Sequence, residues 1–503
     1  MGAEISKLID LLVIGGGING AGIARDAAGR GLDVVLCEKD DLAQHTSSSS
    51  TKLVHGGLRY LEHYEFRLVR DALIEREVLL GMAPHIIWPM RFVLPHHSGL
   101  RPAWLIRLGL FLYDNLGGRK ILPGTSKADL KNTPHADLFR DSFKFGFEYS
   151  DCWVEDSRLV VVNAMDARDR GAQILTRTEC VNLERQDNEW LVTLAHEDGT
   201  RETMRARAVV NAAGPWVDNV LGLTNRKNNQ NNLRLVKGSH LIVNRMFDHD
   251  MSYILQNSDD RIVFAIPYEH DFTLIGTTDA AYSLSDGDPE ISIEETDYLL
   301  SLINEYVSKP VTRDDVVATY SGVRPLYDDK SEDASVVTRD YVFDLNVDGE
   351  RAPILSIFGG KITTFRKLSE QAIDRLSPFL EPSKPQAWTK GASLPGGDIP
   401  DADFDGFVAQ IYAQYADLPR PLLMRLARAY GTRISTVIGD ATDISGLGQA
   451  FGDDFFEREA EYLVDHEFAK SAEDILYRRS KLYLHLSAQA SEKFKNWFAQ
   501  NYG

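Results

Sequence analysis

The spacing of apolar positions changes twice between residues 8 and 38. Leu11-Leu12-Val13-Ile14 is an unbroken apolar run, Asn19 to Arg30 carries small residues at helical spacing, and Val34-Val35-Leu36-Cys37 is a second apolar run. That order predicts a buried strand, a helix and a second strand, a βαβ unit. Residues 60–82 read as a helix with Arg and Glu on its outer face, followed by basic and aromatic loops to about residue 125 and a polar stretch to about 145. Strand patterns return between 172 and 212, including Glu189 to Ala195 and Ala208 to Asn211. Residues 224–232 are almost wholly polar and predict an exposed loop. From 233 to 345 the pattern is mostly β (Ser239 to Val243, Ile262 to Ile266, Phe272 to Ile275), interrupted by one helix near 293–307. Ile354 to Phe358 then runs into Gly359-Gly360-Lys361 and a helix to about residue 376. Gly391 to Asp405, rich in Gly, Pro and Asp, reads as a linker. The last hundred residues carry helical spacing, and no solenoid or propeller period is present.

Composition narrows the class. A chain of 503 residues should hold two or three domains, and 43% hydrophobic residues suffice for a buried core. The net charge of −19 argues against nucleic acid as a partner. It also means that an anionic substrate requires basic residues gathered in one pocket. Cys37, Cys152 and Cys180 form no C-x-x-C pair, so a reducing, cytosolic compartment is expected. No run of about 18 apolar residues predicts a spanning helix. Leu8 to Ala24 is broken by Asp10 and four glycines and does not read as a secretory signal. Met1-Gly2-Ala3-Glu4-Ile5-Ser6 matches the myristoylation pattern and is read as a chance match.

Chemistry enters at Gly15-x-Gly17-x-x-Gly20, between the first strand and its helix. Glycines there permit a tight turn and close backbone approach, so the helix N-terminus can face a pyrophosphate. Glu38 ends the second strand, where a carboxylate can bind a ribose hydroxyl. Just downstream lies the run from Ser47 to Tyr60. Ser47, Ser48, Ser50, Lys52, Gly56 and Gly57 could line a phosphate-bearing cofactor, with His55, Arg59 and Tyr60 in reach of whatever reacts there. Small residues at Ala213 and Gly214 let the backbone run close to a cofactor. Gly359-Gly360-Lys361-Ile362-Thr363-Thr364 repeats the strand, glycine, helix design far along the chain. Two such elements suit a long cofactor and favour FAD over NAD, the second helix N-terminus opposing negative charge on a reduced flavin.

These motifs, with Lys237-Gly238-Ser239-His240, Gly276-Thr277-Thr278-Asp279, Tyr320-Ser321-Gly322-Val323-Arg324-Pro325-Leu326, Thr338-Arg339-Asp340-Tyr341 and Phe358 to Lys367, cover the chain from about residue 10 to 395. Through them the chain resembles the FAD-dependent, respiratory glycerol-3-phosphate dehydrogenases, bacterial type, a branch of the glycine oxidase and D-amino-acid oxidase-like flavoproteins. Its helical tail is similar to that family's C-terminal domain. Ala43-Gln44-His45 departs from the small residues that relatives often carry there. The resemblance implies an α/β + α chain with three parts. Residues 1–85, 150–232 and 340–390 would form a Rossmann-like FAD-binding domain; 86–149 and 233–339 a mixed-β substrate cap and membrane-facing region; 391–503 a helical C-terminal domain.

The implied reaction is oxidation of sn-glycerol 3-phosphate to dihydroxyacetone phosphate by hydride transfer to FAD, with electrons passed to a membrane quinone. A phosphate dianion calls for bidentate donors, which assigns Arg324 and Arg339 to it. Arg59 and Tyr60 would orient the substrate, and Lys361 and Thr277 complete a polar pocket. Removal of the hydroxyl proton needs a base near neutrality, and His55 and His240 are the candidates, with a slight preference for His55. Lys361 could instead stabilise a developing alkoxide. His63, His85, His96, His97 and His135 read as surface or structural residues, and no spacing among them makes a metal site.

Quinone reduction implies a peripheral position on the inner face of the cell membrane, with a homodimer presenting two such faces. Arg101 to Tyr113, followed by Arg119-Lys120, is the candidate segment, apolar and aromatic between cations. Its apolar residues nearly encircle a helix, so a core helix with solvated ends is the competing reading. A soluble glycerol-3-phosphate oxidase using oxygen, a flavin-binding redox sensor without turnover and a generic amine or amino-acid oxidase are the functional alternatives.

Overall fold

A computed structural model describes residues 7–62, 64–97, 99–132, 134–224, 232–257, 261–328, 340–349 and 351–503. Two sheets organise the first four-fifths of the chain. In one, Ile354–Phe358, Arg201–Asn211, Leu8–Ile14, Val34–Cys37 and Gln173–Leu175 lie parallel in that order, with Val342–Asn346 closing one edge antiparallel. Leu11, Leu12 and Val13 are fully buried, as expected of a strand covered on both faces. The helix Ile18–Gly29 packs over this sheet beside the helices Asp156–Asp169 and Phe365–Leu380, and their apolar residues form one core. The chain leaves Leu8–Ile14 toward one neighbour and returns on the other side, so a crevice opens beyond the strand's C-terminal end, where open α/β sheets bind ligands.

The second sheet is mixed. Leu233–Asn244 pairs with Phe272–Gly276 on one side and along its whole length with Val316–Tyr327 on the other. The sheet continues through Ile262–Tyr268, Ser252–Gln256, Ile87–His96 and Phe145–Val154 to the short strand Leu53–Val54. That last strand carries the hydroxyl-rich run from the first sheet into the second. Residues 399–498 have their own helical core, with Leu422, Leu426, Ile438, Leu463, Ile475 and Phe494 buried.

Several expectations are revised. Within the region read as loops, Ile87–His96 is a strand and Ala103–Leu116 a helix; the polar stretch contains the strand Ser126–Asp129 and buried Leu130, Phe139 and Phe143. The helix Phe66–Met82 does not keep its Arg and Glu outside: Glu75 and Arg76 are buried, because Arg366 and Asp151 reach them from other elements at 2.5 and 2.6 Å. Gly391 to Asp405 is not a free linker. Leu394, Ile399 and Phe404 are buried, and the Leu394 amide donates to the Met82 carbonyl at 3.0 Å. Of the predicted loop 224–232, residues 225–231 lie outside the described residues.

The helix Ala103–Leu116 also divides more cleanly than its sequence suggests. Leu110 and Tyr113 are buried, whereas Trp104 is 69% and Phe111 62% exposed, with Leu108 exposed between them. Positions 104, 108 and 111 recur at one-turn spacing and share a face. Among the described residues no helix is long and apolar enough to cross a membrane.

Candidate active site

The dinucleotide fingerprint sits in the crevice. Gly20 lies so close to the turn that a Cβ there would fall 1.9 Å from the Gly15 carbonyl oxygen. The helix that follows has Gly17 as its N-cap and no capping side chain on that residue, which leaves its mouth open to a ligand. Ser47 stands at this mouth, its Oγ accepting from the Ile18 amide at 3.0 Å. Glu38 accepts from the amides of Gly16 (2.6 Å) and Asp40 (2.9 Å), and burial pushes its carboxyl pKa up. A cavity of about 430 Å³ runs from Gly15, Gly17 and Glu38 past Thr46 and Ser47 to Ala213, Gly214 and Trp216. Its size is that of cofactor pockets in general. His45, at the rim, donates from Nε2 to the Asp40 carboxylate at 2.6 Å and lies 4.5 Å from the Trp216 ring. Glu38, Asp40 and His45 bring donor atoms within 4.8 Å of one another, but their oxygens are satisfied locally.

Beyond Ser47 the expected cofactor residues separate. Ser48 Oγ turns back to the carbonyls of Gln44 and His45. Ser50 Oγ and the Lys52 ammonium both donate to Asp156, at 2.8 Å and 2.9 Å, and Lys52 also donates to the Ser48 carbonyl. Lys52 and Asp156 are fully buried. Lys52 is therefore corrected: its ammonium neutralises a carboxylate beneath the loop and does not reach toward a phosphate. Gly56 donates its amide to Tyr113 Oη at 2.7 Å, and Tyr113 in turn donates to Asp151. The ring of Tyr60 lies over Gly57. The His55 amide donates to Thr363 Oγ1 at 3.2 Å, joining this run to the second glycine turn. Asn19, in the first helix, closes the same junction by donating to the Gly359 carbonyl at 3.1 Å; a Cβ on Gly360 would lie 2.8 Å from its side chain. Widely separated motifs thus meet around one space.

The substrate side is built on the paired strands Leu233–Asn244 and Val316–Tyr327, where His240 stands opposite Tyr320 and Val236 opposite Arg324. Arg324 lies flat over Gly238, because a Cβ on that glycine would sit 2.2 Å from its Nη2. Its guanidinium donates to Asp279, to Thr277 Oγ1 (3.1 Å) and to the Thr278 carbonyl (3.1 Å). Glu295 supports this turn from behind, accepting from Thr278 Oγ1 (2.6 Å) and Ser239 Oγ (2.9 Å) and pairing with Lys237 (3.0 Å). Lys361 places its ammonium 3.9 Å from the centre of the Tyr60 ring. Arg59 is half-buried; its carbonyl accepts from the Glu62 amide at 3.0 Å, and its guanidinium has no hydrogen-bond or ion-pair partner among the described residues. Arg339 lies outside the described residues.

The two histidines differ. His240 is buried and stacked on Tyr320 at 4.6 Å; its Nε2 meets Thr51 Oγ1 at 3.0 Å, and its Nδ1 has no partner among the described residues. Burial, reinforced by Lys52 and Arg324, holds its pKa well below the usual histidine range, so the ring is neutral. His55 is half-buried on the cofactor-facing run. His85 and His135 are buried structural residues, the latter bonded to Tyr253 at 2.9 Å; His63 lies outside the described residues. Sequence reasoning missed Asn19, Asp156, Tyr113 and Glu295, which hold the site together. Only their positions in the folded chain mark them.

Residues 10–365 match the family described as FAD dependent oxidoreductase, and residues 387–500 match the C-terminal domain of alpha-glycerophosphate oxidase. The chain belongs to the FAD-dependent oxidoreductase family. It is 55% identical over 490 residues to the D-erythritol 1-phosphate dehydrogenase of Brucella abortus, covering 97% of each chain. It is 48% identical over 495 residues to the aerobic glycerol-3-phosphate dehydrogenase of Escherichia coli, covering 98% of this chain and 97% of the other. The FAD-bound glycerol-3-phosphate dehydrogenase of Bacillus halodurans superposes with a TM-score of 0.75 at 26% identity, over 98% of this chain and 94% of that one. Within the family, the chain therefore groups with the glycerol-3-phosphate dehydrogenases, and FAD is its cofactor. The residues fit that cofactor: the helix mouth at Gly17 is open, Glu38 faces the cavity, and the buried Asn19 Oδ1 has no partner among the described residues.

Proposed function

We propose that this chain oxidises the secondary hydroxyl of sn-glycerol 3-phosphate to dihydroxyacetone phosphate and passes the electrons to a membrane quinone. The observation that carries the reading is Arg324, laid over Gly238 and bonded to Thr277, with unpartnered Arg59 on the neighbouring run. Together they supply the planar, bidentate donors a phosphate dianion requires in a chain of net charge −19. FAD, when bound, supplies the two-electron acceptor. The chain's own residues bind and orient the phosphate through Arg324, Arg59 and Arg339, steady the hydroxyl-bearing carbons with Tyr60 and Thr277, and remove the hydroxyl proton. His55 suits that last task better than His240, whose burial, reinforced by neighbouring cations, disfavours holding a proton. Lys361 provides fixed positive charge beside Tyr60 for the oxygen that loses its proton.

The test is anaerobic titration with glycerol 3-phosphate while the flavin absorbance is followed. Wild type should bleach at low substrate. Arg324→Ala should need roughly ten to a hundred times more, the loss expected of hydrogen bonds to a charged group. Equal reduction of both would sink the phosphate assignment.

A second reading is favoured by the relative at 55% identity: D-erythritol 1-phosphate as the preferred substrate. It offers the same phosphate and a secondary hydroxyl on a longer chain. The ratio of kcat/KM for the two substrates decides between them.

Delivery to a quinone fits the outer face of Ala103–Leu116. Trp104, Leu108 and Phe111 are exposed there, flanked by exposed Arg101, Arg107, Arg119 and Lys120. Such a face suits a peripheral position on an anionic bilayer, a homodimer presenting two copies. Trp104→Ser with Phe111→Ser should lower co-sedimentation with anionic vesicles and spare turnover with a soluble acceptor. Unchanged sedimentation would refute the membrane face.

A further inference from the structure

The helical C-terminal domain sends its segment Asp474–Arg479 against the loop that lines the cofactor cavity. Arg479 donates to both oxygens of Asp41, at 2.6 and 2.8 Å, and Arg478 donates to the same carboxylate at 2.5 Å. Asp41 and Arg479 are both fully buried. Asp41 starts the turn whose third residue, Ala43, donates its amide to the Gly16 carbonyl of the dinucleotide fingerprint at 3.1 Å. Between them Leu42 packs on Gly16, where a Cβ would lie 2.9 Å from Leu42 Cδ2. Three residues before Asp41 stands Glu38. The same domain grips the other end of the loop. Lys481 donates to Ser157 Oγ at 3.0 Å, Ser157 Oγ donates to the Arg478 carbonyl at 2.7 Å, and neighbouring Asp156 holds Ser50 and Lys52.

We propose that the C-terminal domain is a clasp for the cofactor: Arg478 and Arg479, acting through Asp41, hold the 38–50 loop closed over bound FAD and set how fast FAD leaves. The inference rests on FAD being the cofactor and goes beyond the substrate reading. Arg478 and Arg479 are positioning residues that act through the loop. The geometry gives them leverage. The loop has few apolar residues of its own, and its shape depends on a carboxylate that would be buried without a partner if the arginines were removed. An uncompensated buried charge strongly disfavours the arrangement that buries it. The loop then relaxes outward and the fingerprint loses its cover.

The full-length holoenzyme is diluted, and flavin release is followed by the rise in free-FAD fluorescence. Arg479→Gln should speed release by about tenfold or more, an order of magnitude set by loss of one partner of a buried pair. Arg478→Gln, which gives up a single bond to Asp41, should do so by a smaller factor. The control is Arg425→Gln, which breaks the Arg425–Glu459 pair (2.7 Å) inside the C-terminal domain and away from the loop. It should lower the melting temperature and leave FAD release at the wild-type rate. Release from Arg479→Gln at the wild-type rate overturns the proposal. So does equal acceleration in Arg425→Gln at a matched loss of melting temperature, since any weakening of the domain would then suffice. If Arg479→Gln does not fold, Arg478→Gln carries the test, and an unchanged rate there overturns the proposal too. Wild-type apoprotein that fails to take up added FAD would instead refute FAD as the cofactor.

Discussion

The dinucleotide end and the substrate end of this site are both proposed to face phosphate, but they are made of different groups. At the first, the donors are backbone amides at a helix mouth, framed by glycines and closed by a loop anchored at its buried residues Asp41, Leu42 and Ala43. At the second, they are side chains: Arg324 and Arg59, with Lys361 nearby. Backbone amides cannot swing away and need no counter-ion when empty, which suits a ligand that stays. Arginine side chains can re-pair, and Arg324 is bonded to Asp279. That suits a ligand that comes and goes. On that reading, one end is rigid and the other exchangeable.

The sharpest way to break this contrast is at Gly20. A methyl group there would collide with a carbonyl oxygen 1.9 Å away, and neither partner is a flexible side chain. Gly20→Ala should therefore displace the helix mouth itself, at a cost of about 3 kcal/mol by the usual scale of overpacking. The protein should purify with little FAD, read from the ratio of flavin to protein absorbance, and unfold at lower urea. Retention of a full complement of FAD would mean that the helix mouth does not hold it.

Next in size is the proton acceptor. A base that touches the reacting hydroxyl contributes about 10²- to 10⁴-fold. His55→Asn should lower kcat/KM by that order and abolish the acidic limb of its pH profile. His240 is held neutral, its pKa well below 6.5, so it binds no proton across the working range and cannot create that limb. His240→Asn should keep the limb whatever it does to the rate. An acidic limb lost in His240→Asn and kept in His55→Asn would exchange the two roles.

The same contrast explains what could be read from the sequence. The dinucleotide end is local: a strand, three glycines and an acid fall within 28 residues, and each is visible as a residue type at a fixed spacing. Arg324 and Thr277 were reachable only through motifs scattered over the second half of the chain, because their meeting depends on Leu233–Asn244 pairing with Val316–Tyr327 on one side and Phe272–Gly276 on the other. Lys52 misled for a physical reason. A lysine in a hydroxyl-rich loop looks like a phosphate ligand until Asp156, about a hundred residues away, is seen to neutralise it. The exposed face of Ala103–Leu116 was obscured similarly, since nothing local distinguishes Tyr113, bonded to Gly56, from Phe111 in solvent. Nor does any pattern announce that Arg479 would reach Asp41.

The smallest expected effect bears most directly on exchangeability. Asp279 pairs with Arg324 at a partly exposed position, 34% for the arginine side chain and 43% for the aspartate. Such pairs are worth about 0–1 kcal/mol. If the carboxylate competes with substrate phosphate for the guanidinium, Asp279→Asn should lower KM by up to about fivefold, in proportion to that energy, and leave kcat unchanged. Asparagine keeps an oxygen that can accept from Arg324, so the guanidinium stays over Gly238 while its competing charge is gone. Added salt should then raise KM more steeply in the variant, because a freer arginine is more open to screening. A rise in KM on the scale of Arg324→Ala would mean the reverse: Asp279 holds the arginine in place for the phosphate, and the substrate end is preorganised much as the dinucleotide end is.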